Sequence, residues 1–388
     1  MTTDASWTLR VHDFRALREV EWSPDGVCLL AGPNGSGKTT LLNSFRFLRD
    51  LYLRGLTGAT RFAQGASGFR RVGASSEALV VFELERGDVK WKVSLPLQGP
   101  GIHPYFGERL EHQGKVVFDA APFVSQWSLG DDQRQREDRS ALRTLWDKEE
   151  PSWLLPFVQA LRAIRVYNAL DTEMAKKPEP GDEGDQYLHP GGRNLLPVLR
   201  NWQGAPKKFR EQYAWVVAQT RRAFPDLIEA IEFEAGADAK FFHPGASQAE
   251  DGIPIQLASD GLLTGLLHLT AVAGAQDGGT VAIDEMENQL HPQAIRSILG
   301  SIREMAERRG LTVVLTTHSP VLMDEFGACP DRFYVIDRNV AVQPVPLDEL
   351  KDPEWLAMFS LGTLYDRLKF GAPPLPEDAS VVDDDALD

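Results

Sequence analysis

Gly32-Pro33-Asn34-Gly35-Ser36-Gly37-Lys38-Thr39 satisfies every fixed position of the pattern G-x-x-x-x-G-K-[ST]. The residues on either side give that match a physical context. Val27-Cys28-Leu29-Leu30-Ala31 is an unbroken apolar run, as in a buried strand. From Thr40 onward, Leu41, Leu42, Phe45 and Leu48 recur at helical spacing. A strand, a glycine loop and a helix in this order form a cradle for phosphate. The glycines let backbone N–H groups close around phosphate oxygens, and the helix start adds partial positive charge. In such a loop the stretch from Gly32 to Thr40 wraps the phosphates. Lys38 reaches the β- and γ-phosphates, and the Thr39 hydroxyl ligates Mg²⁺. The reading predicts a nucleoside triphosphate site with Mg²⁺ beside it.

The rest of the composition narrows the class. The chain has 388 residues, enough for two or three lobes. No apolar run in it is long enough to cross a bilayer, and no basic-then-apolar leader opens it. Cys28 and Cys329 lie far apart with no ligand-spaced partners, so a cytoplasmic location is expected. A formal net charge of −15 argues against a generic DNA-binding surface. Any contact with nucleic acid would need a local basic patch or a basic partner.

Periodicity divides the chain. Residues 1–150 alternate as strands around the phosphate loop. Trp7–Val11 and Glu19–Trp22 flank Phe14-Arg15, and two longer strands meet at Arg86-Gly87-Asp88, a hairpin signal. Val116–Phe118 reads as a further strand. Residues 151–257 change to a helical period, with Leu154, Val158 and Leu161 on one stripe and Phe209, Tyr213 and Val216 on another. A polar, turn-rich insert, Pro178–Asp185, separates the stripes. Residues 258–370 return to alternating strands and helices. Thr280–Ile283 and Leu311–Leu315 are buried-strand runs, and a helix is predicted from Pro292 to Arg309 between them. Arg332–Asp337 and Val340–Val345 read as a closing hairpin. The acidic tail 371–388 is expected to be disordered. The fold class is α/β: a mixed sheet bearing the phosphate loop, an antiparallel β-subdomain and a helical insertion.

Thr280–Ile283 runs into Asp284-Glu285, an apolar strand ending in two acids. Beside a phosphate loop this is a Walker B pattern. Asp284 is expected to hold Mg²⁺, and Glu285 to polarise the attacking water. Leu315-Thr316-Thr317-His318-Ser319-Pro320 ends the next strand, and places His318 at the edge where open α/β sheets bind ligands. A neutral imidazole there can hydrogen-bond a γ-phosphate oxygen. Ala258-Ser259-Asp260-Gly261 opens a long apolar helix, with Ser259 or Asp260 as N-cap. The same three residues, Ser259, Asp260 and Gly261, also make a second candidate anion site.

Taken together, these motifs resemble the ATP-binding-cassette ATPases. They resemble most closely the soluble SMC/RecF/OLD-like branch, whose members are often called AAA family or predicted ATPases. The stretches that carry this are Phe14-Arg15, Gly192–Leu199, Ser259-Asp260-Gly261, Asp284–Pro292 and Thr317–Pro320. The resemblance spans about Leu9 to Val345. It implies an ATPase head that dimerises with a second copy. Lys38 and Thr39 of one head would face Ser259 and Gly261 of the other, and Glu287–His291 would act as the D-loop. Lys38, Glu285 and His318 would be catalytic. Ala258 and Asp260 depart from the usual Leu-Ser-Gly-Gly-Gln signature, and Asp260 is usual in this branch. Gln64 and Gln126 are both candidates for the Q-loop. Long heptad arms are absent, and no Toprim-like nuclease module is expected after the His318 strand.

The resemblance implies an ATP-driven switch acting on a separately encoded, nuclease-like effector, as in Septu-like and retron-like anti-phage systems. The alternative is a DNA repair or chromosome-maintenance ATPase. In that case Arg61, Arg70, Arg71, Lys207, Lys208 and Arg210 would be the candidate nucleic acid contacts. A transporter ATPase would need a membrane partner, which the long insertions between motifs argue against.

Overall fold

The computed structural model describes residues 6–61, 66–75, 78–99, 101–129, 132–135, 138–168, 170–177, 185–234, 238–246, 252–336, 343–351, 356 and 358–368. The tail 371–388, Gln64, most of the 178–185 insert and the Arg338-Asn339 turn lie outside them.

Among the described residues the centre is a six-stranded sheet. Its order is Arg165–Tyr167, Thr280–Ile283, Thr312–Thr317, Val27–Ala31, Phe333–Val335 and Val345–Pro346. The first five strands are parallel and the last is antiparallel. Every residue of Val27–Ala31 and Thr280–Ile283 is buried. Such unbroken apolar runs belong to strands covered on both faces. The pleat sends alternate residues to opposite sides. Leu29, Val281, Ile283, Val313 and Leu315 join one core. Leu30, Ala282 and Val314 join the other.

One core lies under the antiparallel β-subdomain and the phosphate-loop helix, Lys38–Ala59. The subdomain is a nine-stranded sheet among the described residues. Of its strands that precede the phosphate loop, Leu17–Trp22 is the edge and pairs with Thr8–Phe14, which pairs in turn with Leu79–Arg86 from after the loop. Phe47 of the helix meets Phe69 and Phe82 at ring-centroid distances of 5.3 and 4.7 Å. The helix kinks at Gly55 (φ 72°). There the Asp138 carbonyl accepts from Leu56 N, and its carboxylate from Thr57 N, each at 3.0 Å. Asp138 thus restarts the helix by capping its second half. Buried Glu108 ties the subdomain to helix Ala141–Glu149, accepting from Trp91 Nε1 at 3.0 Å, Ser140 Oγ at 2.7 Å and Ala141 N at 2.6 Å.

The other core is helical. Pro292–Arg309 has the predicted bounds, with Ile295, Ile298, Leu299, Ile302 and Met305 all buried. Residues 151–257 hold more than the expected helices. Arg165–Tyr167 is an edge strand of the central sheet, and Ala230–Phe233, Ala239–Phe242 and Ile253–Pro254 make a three-stranded sheet. Strands of two to four residues are too short to display a period of two, which is why the helical stripes around them dominate the sequence pattern.

Candidate functional site

The phosphate loop leaves the C-terminal end of Val27–Ala31, and its backbone requires glycine. Gly32 has φ 154°, and a Cβ there would lie 2.3 Å from the Ile336 carbonyl oxygen. Gly35 and Gly37 have φ of 71° and 117°. The buried Lys38 Nζ donates to the carbonyl oxygens of Gly32 at 2.7 Å and Pro33 at 3.3 Å. Burial pushes this ammonium down to about 8, against the upward pull of Asp284, Glu285 and Glu287.

The adjacent strands bring the other motifs to the same edge. Thr39 Oγ1 donates to Asp284 Oδ2 at 2.7 Å, joining residues 245 apart in sequence. Burial raises the Asp284 carboxyl, while hydrogen bonds from Thr316 and Thr39 hold it in check. Thr316 is fully buried. Its hydroxyl donates to Asp284 Oδ1 and accepts from Glu285 N at 2.9 Å. Glu285 is left-handed (φ 49°), an unusual state for a non-glycine residue, and its own side chain accepts from Asn288 Nδ2 at 2.9 Å. His318 N donates to Glu287 Oε1 at 2.6 Å. Burial, then the charge of Lys38, lowers the His318 imidazole, which favours its neutral form.

Lys38, Thr39, Thr40, Glu285 and His318 line one cavity of about 970 Å³. Arg15, Arg18, Arg70 and Arg71 also line it. Arg70 and Arg71 were candidates for nucleic acid; the structure sets them beside the phosphate loop instead. Nε and Nη2 of Arg70 are buried without a protein partner among the described residues, as is Ser36 Oγ. Arg71 pairs with Asp13 at 2.5 Å. Lys208 lies elsewhere, in a cleft with Asp277 and Arg309. A second large cleft, about 830 Å³, lies between Arg86, His112, Trp153 and Asp277 and contains none of the motif residues.

Ser259, Asp260 and Gly261 do not line the phosphate-loop cavity. Ser259 is exposed, and its hydroxyl caps helix Asp260–Ala273 by accepting from Leu262 N at 3.3 Å. That helix is fastened to the 287–291 loop. Thr264 Oγ1 donates to Gln289 Oε1 at 3.0 Å, and a Cβ on Gly261 would lie 2.9 Å from the Gln289 carbonyl oxygen. Gln126 is exposed at the start of a subdomain strand and is outside the cavity. The sequence reading gave no individual role to Thr316, Asn288 or Arg18.

A family model described as "AAA domain, putative AbiEii toxin, Type IV TA system" matches residues 27–324. The chain belongs to this AAA_21 family. Over 85 residues it is 38% identical to the methionine import ATP-binding protein MetN 1 of Rhodococcus jostii (strain RHA1), 22% of this chain and 24% of that protein. The chain thus spans about a quarter of that curated relative. Its fold is similar to a solved Smc head bound to the C-winged helix domain of ScpA. The TM-score is 0.51 at 15% identity, over 89% of this chain and 99% of that one. An SMC head domain from Thermotoga maritima aligns with a TM-score of 0.45 at 14% identity, over 88% and 98% of the two chains. By family the chain is an AAA-type ATPase domain, and its fold is similar to that of an SMC head. No helix among its described residues is long and apolar enough to cross a membrane.

Proposed function

We propose that this chain binds ATP with Mg²⁺, hydrolyses it to ADP and phosphate, and uses the cycle to pair and release two heads. The observation that carries the proposal is the contact between the Thr39 hydroxyl and the Asp284 carboxylate, at 2.7 Å. It joins the two halves of a phosphate-loop site at the cavity that Lys38, Thr39, Glu285 and His318 line. A hydroxyl and a carboxylate converging beside a phosphate cradle suit a small, hard cation. Thr39 and Asp284 would hold Mg²⁺, which would supply charge neutralisation at the phosphates.

The protein groups then have distinct tasks. Lys38 and the N–H groups of residues 33–40 bind and orient the triphosphate. Glu285 accepts a hydrogen bond from water and aims it in line at the γ-phosphorus; its side chain is steadied by Asn288 and its backbone by Thr316. A neutral His318 donates to a γ-phosphate oxygen. The buried, unpartnered nitrogens of Arg70 suit a further phosphate contact.

The Ser259-capped helix is buried from Leu262 onward and exposes only its start, which supports the pairing of heads because that end can face phosphate held by a second copy. Gln289 couples that helix to the loop whose Glu287 holds His318 N, so each head's own site is linked to the half-site it offers. The family's toxin–antitoxin description supports an output through a separate effector, which we place in anti-phage defence. The DNA-clamp alternative draws less support, since Arg70 and Arg71 line the nucleotide cavity.

Glu285→Gln tests the reading. The variant should bind ATP, lose at least about a hundredfold in hydrolysis rate, and accumulate as a dimer with ATP and Mg²⁺ in light scattering. Dimers that form equally without nucleotide, or an unchanged hydrolysis rate, would overturn it.

A further inference from the structure

Asp260 sets an electrostatic problem for the pairing of heads. A helix start attracts phosphate through its free N–H groups and dipole. Asp260 is the first residue of helix Asp260–Ala273 and puts a carboxylate at that same end. A second anion brought up to it would be repelled across a few ångströms.

The structure places a cation on that carboxylate. Lys176 Nζ lies 2.5 Å from Asp260 Oδ1, bridging 84 residues of sequence. The Lys176 side chain is 17% exposed and that of Asp260 46%, so the ammonium is the more covered partner and the carboxylate the more open one. The segment that delivers Lys176 is firmly held. Asp171 caps helix Thr172–Ala175 by accepting from Glu173 N at 2.9 Å and Met174 N at 3.3 Å. Asp171 N donates to the Gly191 carbonyl at 3.1 Å. Thr172 and Ala175 are buried. The next residue, Gly192 (φ 78°), packs so closely that a Cβ would lie 2.4 Å from Leu267 Cδ2 on the helix that Asp260 opens. Glu173 approaches Lys176 at 3.4 Å and Lys177 at 4.0 Å.

We propose that Lys176 is a positioning residue for the half-site that one head offers to the other: its ammonium cancels the Asp260 carboxylate, so that the start of helix Asp260–Ala273 can accept phosphate bound by a second copy of this chain. The inference rests on the two-head reading above and names a residue that this reading lacks. Lys176 acts through Asp260 and makes no contact with phosphate itself.

The test uses the full chain carrying Glu285→Gln as parent, with ATP and Mg²⁺, and reads the dimer dissociation constant by sedimentation. Adding Lys176→Met should weaken association by about tenfold or more, as expected for an uncancelled like charge at the interface of two solvated heads. Lys176→Arg should match the parent. Asp260→Asn alone should match or tighten it, and Lys176→Met with Asp260→Asn should return to within about threefold of the parent. Urea midpoints for each variant identify any loss of fold. If Lys176→Met has no effect, or if Asp260→Asn fails to rescue it, the proposal is overturned. A purely structural staple would give that second result, because Asp260→Asn would then weaken association by itself. A parent that stays monomeric with ATP overturns the two-head reading, and this inference with it.

Discussion

Replacing Thr316 with valine should separate the two halves of the site without changing its shape. Valine matches threonine in volume, and residue 316 is fully buried, so no cavity opens. The substitution removes one hydroxyl with two tasks, donating to Asp284 Oδ1 and accepting from Glu285 N. Losing a hydrogen bond to a carboxylate costs about 2 kcal/mol, and leaving a buried backbone N–H unpaired adds about 1–3 kcal/mol. A fall in stability of about 3–5 kcal/mol is therefore expected, read as a lower urea midpoint. Asp284 keeps its contact with Thr39, but that hydroxyl is the one proposed to turn to Mg²⁺. Thr316 is then the anchor that remains. Loss of such an outer anchor weakens metal affinity by about 10–100-fold, read by titrating Mg²⁺ against ATP hydrolysis. Thr316→Ser keeps the hydroxyl and should retain the Mg²⁺ response, at a stability cost of about 1 kcal/mol for the lost methyl. A valine variant equal to wild type in both midpoint and Mg²⁺ response would refute this account of how Asp284 is held.

Three further outcomes can be measured. Burial lowers His268, which has no hydrogen-bond partner for Nδ1 among the described residues, from its usual 6.5 to about 4. The unfolded chain takes up this proton first, so the residue's contribution is complete above pH 6.5 and is lost as pH falls toward 4. It should remove about 2 kcal/mol between pH 7 and pH 5, and His268→Leu should flatten that part of the urea-derived stability profile. Gly32→Ala puts a Cβ 2.3 Å from the Ile336 carbonyl oxygen; it should abolish measurable binding of a fluorescent ATP analogue and lower stability by about 3 kcal/mol or more. Glu108→Ala leaves Trp91 Nε1, Ser140 Oγ and Ala141 N without their acceptor, so calorimetry should show a loss of about 3–5 kcal/mol.

The site was unevenly legible from sequence. The strand, glycine loop and helix around Gly32–Thr39 could be read in full, because that local structure depends on contiguous residues and on glycine's backbone freedom. Asp284 and Glu285 were legible because they end an apolar run at the strand edge. Thr316 was not, since a threonine in a strand looks the same whether or not its hydroxyl holds a neighbour. Arg70 and Arg71 read only as candidate contacts for nucleic acid. Their place beside the phosphate loop follows from the Phe14–Arg70 bridge, a contact between distant segments.

Local chemistry written in consecutive residues settled the phosphate loop, the helix over Pro292–Arg309 and the character of the buried strands. Propensity, periodicity and turn chemistry act over a few residues, so one stretch of chain carries each of them whole. Folding alone determined which strands would be neighbours, that Arg165–Tyr167 would flank Thr280–Ile283, that Thr39 would meet Asp284 and that Lys176 would reach Asp260. Those outcomes depend on burying two apolar cores on opposite faces of one sheet, a condition that involves the whole chain at once.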